Sequence, residues 1–452
     1  MSVFWGAAVF NAIICACLGV ATRSKIDKDS VPAGFPSHLR RYLVAWTLCI
    51  AGEWFCGPGV YALYSSYGFE NAVIAKLFVL GFACSSVLGC VAGSFADRFG
   101  RKRSALLFCS FGICACTLKH FAWYPALILA RFLDGAHASL LYTAFESWLV
   151  AEHFQRHSFP GELLGHSFAL MFTISYLVAV VCGFVAQLGV DSIPAAPPIG
   201  ALHLGGWAVP FEMSAVFQAF GFVYIALNWD ENYGTSEATT RDSPENSKGL
   251  WRTFFSVKVM LCCALVSFFE STMFIFVFSW TPALSPNSDH ALLPAGLIFA
   301  VYMMACMSGA SVYRLCVGFS TRTVMLAVFF LAAAAFAVPA FVGISEESKY
   351  TNFFAFVLFE FTVGAYFPAA ASLKSEFVEE RYRTTIYNLF RTPMNLIVVL
   401  VLLTGPPLTL TFQLLFAQLS LGVLMLLCYS LAEARGMSEK SAPLLQEGNG
   451  SA

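Results

Sequence analysis

Three groups of charged side chains stand inside stretches of this sequence that are otherwise apolar. The first is Arg391, in Asn388-Leu389-Phe390-Arg391-Thr392-Pro393-Met394-Asn395. If the segment is helical, Asn388 at i−3 and Asn395 at i+4 share the arginine's face. A planar guanidinium beside two amides is a donor set suited to a tetrahedral oxyanion. Pro393 lacks an N–H and can bend the helix, freeing a carbonyl beside the site. The structural alternative is that Arg391 pairs with Glu270 or Glu360 and holds helices together.

The second group is Arg131 with Asp134, one turn apart, which serves either anion entry and coupling or a structural ion pair. Glu53, Glu270 and Glu360 form the third. Glu53 stands nearest the middle of its apolar segment, where a carboxylate either carries a proton or stays ionised against Arg or Trp donors.

A further cluster, Gly93-Ser94-Phe95-Ala96-Asp97-Arg98-Phe99-Gly100-Arg101-Lys102-Arg103, falls between two apolar runs. Gly93 would let neighbouring helices approach closely and Gly100 would turn the chain. Asp97 can pair with an arginine or accept from a helix N-terminus, which locks this loop as a gate.

These groups need a scaffold that can hold charge in an apolar medium. Of 452 residues 58% are hydrophobic and 12% charged, against about 25% charged in ordinary soluble domains. Segments long enough to cross a bilayer, about 20 residues each, occur near 3–21, 42–64, 72–95, 104–122, 126–150, 164–188, 209–229, 254–279, 292–314, 322–343, 351–373, 384–404 and 411–432. A charge at mid-bilayer costs at least ~2.5 to 3.5 kcal/mol and is tolerated beside a cavity or a partner.

Basic residues alternate with the spans. Arg23, Lys25, Lys28, Arg40, Arg41, Arg98, Arg101, Lys102, Arg103, Arg156, Arg314, Arg322 and Lys374 fall on one side, and Lys119 and Lys349 on the other. The excess marks the cytosolic face, with the N-terminus outside and the C-terminus cytosolic. Lys76, Arg131 and Arg391 fall within spans, Lys76 near enough to a surface to snorkel.

Residues 1–41 therefore read as an extra span and a basic loop. Residues 42–229 form one six-helix bundle, 230–253 a polar linker, 254–434 a second bundle, and 435–452 a disordered tail. Short matches between the halves support a repeat: Arg131-Phe132-Leu133-Asp134-Gly135-Ala136 answers Glu360-Phe361-Thr362-Val363-Gly364-Ala365, and Glu53 answers Glu270.

All fifteen cysteines lie in or beside apolar spans, so no disulfide framework is implied. His153 and His157 have the spacing of a metal pair but no third ligand, and no metal or cofactor is assigned. No nucleophile and base converge, so the chain does not read as an enzyme.

The spacing Gly-x-x-x-Asp-Arg-x-Gly-Arg-Lys at 93–102 resembles the signature of the major facilitator superfamily. Arg131 through Gly135 resembles its fourth-span Arg-x-x-x-Gly motif. More narrowly, the chain is similar to the eukaryotic molybdate-anion transporters. That likeness rests on Gly57-Pro58 with Tyr61-Ala62-Leu63-Tyr64, on Ala144-Phe145-Glu146-Ser147-Trp148-Leu149-Val150-Ala151-Glu152-His153, and on Asn228-Trp229-Asp230-Glu231-Asn232-Tyr233. It extends through Phe276-Val277-Phe278-Ser279-Trp280-Thr281-Pro282, Tyr366-Phe367-Pro368 and Arg383-Thr384-Thr385-Ile386-Tyr387-Asn388-Leu389-Phe390-Arg391.

The resemblance implies an all-α polytopic membrane protein with two six-helix bundles plus one N-terminal helix. It also implies uptake of the molybdate oxyanion across a membrane. One departure stands out: the family's fifth core span usually carries a basic residue where this chain has Leu170, with His166 one turn earlier as a weaker substitute. The expected partners are a small anionic solute and the lipid bilayer, with no nucleic acid. The expected state is a monomer in the plasma membrane. A porter of another anion or of a sugar on the same fold, and a non-transporting sensor or scaffold, are the alternatives.

Overall fold

A computed structural model describes residues 2–22, 31–234, 244–286, 293–316, 318–379 and 382–446. Helix α1 (Ser2–Ala21) precedes the first half. That half begins with α2 (Phe35–Cys56) and α3 (Val60–Ser66), joined through a 3-10 turn at Gly57–Gly59 and bent by 41°. It continues through α4 (Asn71–Phe99), α5 (Arg101–Lys119), α6 (Tyr124–Ala151), α7 (Gly161–Ser192) and α8 (Val209–Asn228). A short helix α9 (Pro244–Phe254) leads into the second half. That half consists of α10 (Val257–Leu284), α11 (Ala295–Leu315), α12 (Thr321–Phe341), α13 (Lys349–Phe377), α14 (Arg383–Thr404) and α15 (Leu408–Gln446).

Helices dominate because lipid offers no partner for a free backbone amide or carbonyl. Among the described residues nine helices are long and apolar enough to cross a bilayer, and the bent α2–α3 pair makes a tenth. The three core helices below that threshold, α5, α6 and α14, carry Lys119, Arg131 and Arg391 respectively.

In the first half α4, α5 and α6 pack together, with α2 against α7 and α8. In the second, α11 and α12 flank α13, and α10 lies against α13, α14 and α15. An aromatic stack fills the first core, with the Trp148 and Trp229 centroids 3.9 Å apart. Phe269 and Tyr366 stack at the same separation in the second. Helix α1 packs on the second half, where the ring of Phe4 meets Phe353 edge-on at 4.9 Å and the Cys15 thiol donates to the Met304 carbonyl at 2.9 Å.

The halves meet along α4–α14 and α7–α11. Gly296 N–H donates to Gln187 Oε1 at 3.0 Å. The ring pairs Phe82–Phe274, Phe78–Phe278 and Trp54–Phe299 close at 5.1, 5.4 and 5.7 Å. All these contacts lie in the part of the molecule remote from the loop at 93–103, hereafter the basic-loop end.

Several expectations shift. Within the polar linker of 230–253, α9 occupies the second part; residues 235–243 lie outside the described residues. Helix α15 runs to Gln446, past the boundary at 434 where a disordered tail is expected, and 447–452 lie outside the described residues. Lys119 is not an outer-loop residue: it ends α5 and is only 2% exposed.

Candidate functional site

Arg391 lies eight residues into α14, where the helix crosses α4 of the other half. Its Nη1 stands 2.7 Å from the place where a Cβ on Gly89 would be, so only a glycine on α4 admits the guanidinium so closely. The side chain is exposed, and its guanidinium abuts α4 of the opposite half. No carboxylate among the described residues makes an ion pair with it, which removes the Glu360 and Glu270 salt bridges weighed from sequence. Asn395 is half-buried on the same helix; the side chain of Asn388 lies outside the described residues.

Four other residues join Arg391 in the second half. Tyr366 Oη donates to Glu270 Oε1 at 3.2 Å, tying α13 to α10. Lys374 and Arg391 are both within electrostatic reach of Glu270. The Lys374 ammonium also sits 5.2 Å from the ring centroid of Tyr387, which is one turn before Arg391 on α14. Two cations, one carboxylate and two phenols thus share a partly solvated site. Glu360 is buried at 7% exposure, almost four turns before Lys374 on α13, and does not take part.

The first half holds its charges in closed pairs. Asp134 accepts from Lys119 Nζ at 2.7 Å and from Arg131 Nη1 at 2.9 Å. Arg131 also donates through Nε to the Leu77 carbonyl at 3.1 Å and lies over the Phe78 ring at 4.8 Å. Such a buried cluster is held by its own geometry, and removing the shared carboxylate would leave two cations without a partner. The arrangement favours the structural reading of Arg131 and leaves Asp134 little freedom as a proton carrier. Along α4, Arg131 meets Gly81 and Arg391 meets Gly89, a separation of ~12 Å at 1.5 Å per residue, so the two arginines cannot grip one small ion together.

Glu53 has a partner that the sequence reading missed. His137 Nε2 lies 2.7 Å from Glu53 Oε2, and His137 Nδ1 lies 2.8 Å from the Phe108 carbonyl. A carbonyl only accepts, so Nδ1 carries a hydrogen, and the short Nε2–Oε2 contact holds one proton between the two groups. The pair is neutral overall wherever that proton sits.

At the basic-loop end Gly100 has φ +114°, a value that side chains rarely adopt, and its missing Cβ makes room for the Glu231 carboxylate. Glu231 accepts from the N–H groups of Lys102 and Arg103 at 2.8 and 3.2 Å, capping the start of α5. Asp97 does not cap that helix; it accepts from Arg101 Nη2 at 2.7 Å, one turn on. Lys102 Nζ donates to the Ala226 carbonyl, whereas Arg98 is exposed. A Cβ on Gly93 would meet nothing nearer than the Thr143 methyl at 3.7 Å, so close helix approach does not require that glycine. Asp230 takes Arg156 at 2.6 Å and Trp148 Nε1 donates to its carbonyl, fastening the segment after α8 to the end of α6.

Lys374, Tyr366, Tyr387, His137, Lys119 and Glu231 are the polar partners that sequence reasoning did not single out. His137 was detectable as a polar residue one turn beyond Asp134 on the same helix. Lys374 looks like a basic-loop residue because it stands three positions before the end of α13. Leu170 packs against Phe35 and Leu39 of α2, Phe159 before α7 and Leu163 of α7, a cluster that does not include Arg391. The apolar groove along Leu39, Leu43 and Thr47 and the crevice beside Lys76 and Thr404, each about 450 Å³, also lie apart from it.

Residues 1–359 match a major facilitator family model described as sugar transporters with 12 TM. The molybdate-anion transporter of Xenopus tropicalis is 31% identical over 362 residues, covering 78% of this chain and 76% of that one. That of Danio rerio is 31% identical over 425 residues, covering 88% and 86%. Among solved structures, the nucleoside transporter NupG aligns with a TM-score of 0.63 at 12% identity, over 87% of this chain and 98% of the other. The D-xylose–proton symporter gives the same TM-score and identity, over 87% of this chain and 97% of the other. At that identity the structures speak for the fold alone.

Proposed function

Because the chain belongs to the molybdate-anion transporter family of the major facilitator superfamily, we propose that it takes up the molybdate oxyanion by alternating access, with Arg391 as a principal ligand. The carrying observation is a charged guanidinium that no described carboxylate neutralises, held between two rocking halves beside a glycine. An unpaired cation in a membrane core is costly unless water and an anion reach it. Its fork of N–H donors fits two oxygens of a tetrahedral oxyanion.

In this reading the basic-loop end is cytosolic, the halves are closed at the far end, and the site drains toward the cytosol. Rocking of the halves about Arg391 and Gly89 would expose the anion to the opposite side. The membrane we favour is the plasma membrane, and the protein acts as a monomer. Asp97, Arg98, Gly100, Arg101 and Lys102, stiffened by Glu231, shape the cytosolic gate.

The test is molybdate uptake by Arg391→Ala in a host that lacks its own uptake system. Uptake should fall to background while surface expression stays at the wild-type level; retained uptake removes the assignment. Competition by sulfate, organic anions and sugars, scored in the same cells, separates molybdate transport from a porter of another solute.

A further inference from the structure

We infer that Lys374 is the second cationic ligand of the anion and that Glu270 takes up a proton when a dianion binds. This deepens the reading of Arg391 above and rests on it. The argument is one of charge balance. Lys374 faces Tyr387, Arg391 follows Tyr387 by one turn, and both cations reach Glu270. With Glu270 ionised the site carries one net positive charge, which leaves a bound dianion partly unbalanced. With Glu270 protonated it carries two, which matches the dianion. An unbalanced charge in a poorly solvated site is strongly disfavoured.

The surroundings leave Glu270 as the group to change. From α13 Tyr366 donates to it and Lys374 acts on it through space, as Arg391 does from α14. Helix α15 offers the neutral Gln418, which donates to the Phe268 carbonyl and to Ser271 and Thr272 on the turn next to Glu270. On α10 itself the thiols of Cys262 and Cys263 lie about two turns before it, and Cys262 is within its electrostatic reach. Helices α3 and α9 meet α10 toward its two ends.

Tyr366 already donates to Oε1, so Oε2 is the oxygen free to accept a proton from the aqueous side. The carboxylate becomes a carboxylic acid as the anion binds, and it returns the proton to water when the anion leaves. Each dianion therefore travels with one proton. Leu170 then costs the site nothing, since the second cation comes from α13.

The experiment uses the full chain in proteoliposomes, with molybdate as the probe and apparent affinity measured in mildly acidic and mildly alkaline buffer. For one linked proton the wild type should bind up to about tenfold more tightly per unit fall in pH. Glu270→Gln should lose that slope and hold the acidic-buffer affinity throughout. Lys374→Gln should bind about tenfold more weakly at every pH, the loss of one charge-assisted contact, with the slope retained and Lys374→Arg restoring affinity.

A wild-type affinity that is equal in the two buffers overturns the proton step without recourse to any variant. A Lys374→Gln protein indistinguishable from wild type overturns the second ligand. Wild-type uptake by Arg391→Ala would instead locate the failure in the site reading itself.

Discussion

At the scale of single residues, the site depends on what surrounds each charge more than on the charge itself. Arg391 and Arg131 look alike in sequence, each an arginine in an apolar span. One is clamped by Asp134, the Leu77 carbonyl and the Phe78 ring; the other is exposed with a glycine opposite it. That contrast gives a discriminating pair of substitutions. Gly89→Ala puts a methyl group where Arg391 Nη1 now lies, and the guanidinium must swing aside. We expect molybdate uptake to drop several-fold with normal surface expression. Gly93→Ala meets only a methyl at ordinary contact distance and should transport like wild type. Equal activity of both variants in an initial-rate assay would mean that the arginine's position does not matter.

At the scale of elements, the start of α5 is held by a residue more than a hundred positions away. Glu231 accepts from two of the first backbone amides of that helix, and Gly100 leaves room for it through a backbone conformation with positive φ. Capping by a charged side chain at a helix N-terminus stabilises by about 0.5–2 kcal/mol. Glu231→Gln keeps the shape but drops the charge, and Glu231→Ala drops both. Amide exchange over 97–104 should quicken in both variants, more in the second, with substrate affinity little changed. Unaltered exchange would show that the loop is held by Asp97 and Arg101 alone.

At the scale of the whole molecule, the named contacts between the halves gather at the end away from the basic loops. The halves are glued there by phenylalanine rings and by the Gln187–Gly296 hydrogen bond. Rocking must break that seam. Cysteines at Phe82 and Phe274, whose rings now stand 5.1 Å apart, should react with a short thiol crosslinker and arrest uptake, whereas either single variant should transport after the same treatment. Continued uptake by the crosslinked protein would exclude opening at this seam. Helix α1 rides on the second half through Phe4 and Cys15 and reaches the first through the Trp5–Phe184 stack, so it lies beside the same seam.

Much of this was legible in the order of residues alone. Spans are local: a run of about 20 apolar residues must be helical in lipid because its amides have no other partners. Helix boundaries and the two-bundle plan therefore followed from composition, and the 93–102 spacing carried the family. Arg391 stood out for the same reason, as a charge that hydrocarbon tolerates only beside a cavity or a partner. What the order of residues could not decide was which charges cancel. His137 meets Glu53 from 84 positions away, and Lys119 joins Asp134 across two helices. Lys374 leaves its apparent place in a basic loop for the ring of Tyr387. Electrostatic pairing depends on distance through space, and only the packing of helices brings those side chains within a few ångströms of one another or leaves Arg391 without an ion pair among the described residues.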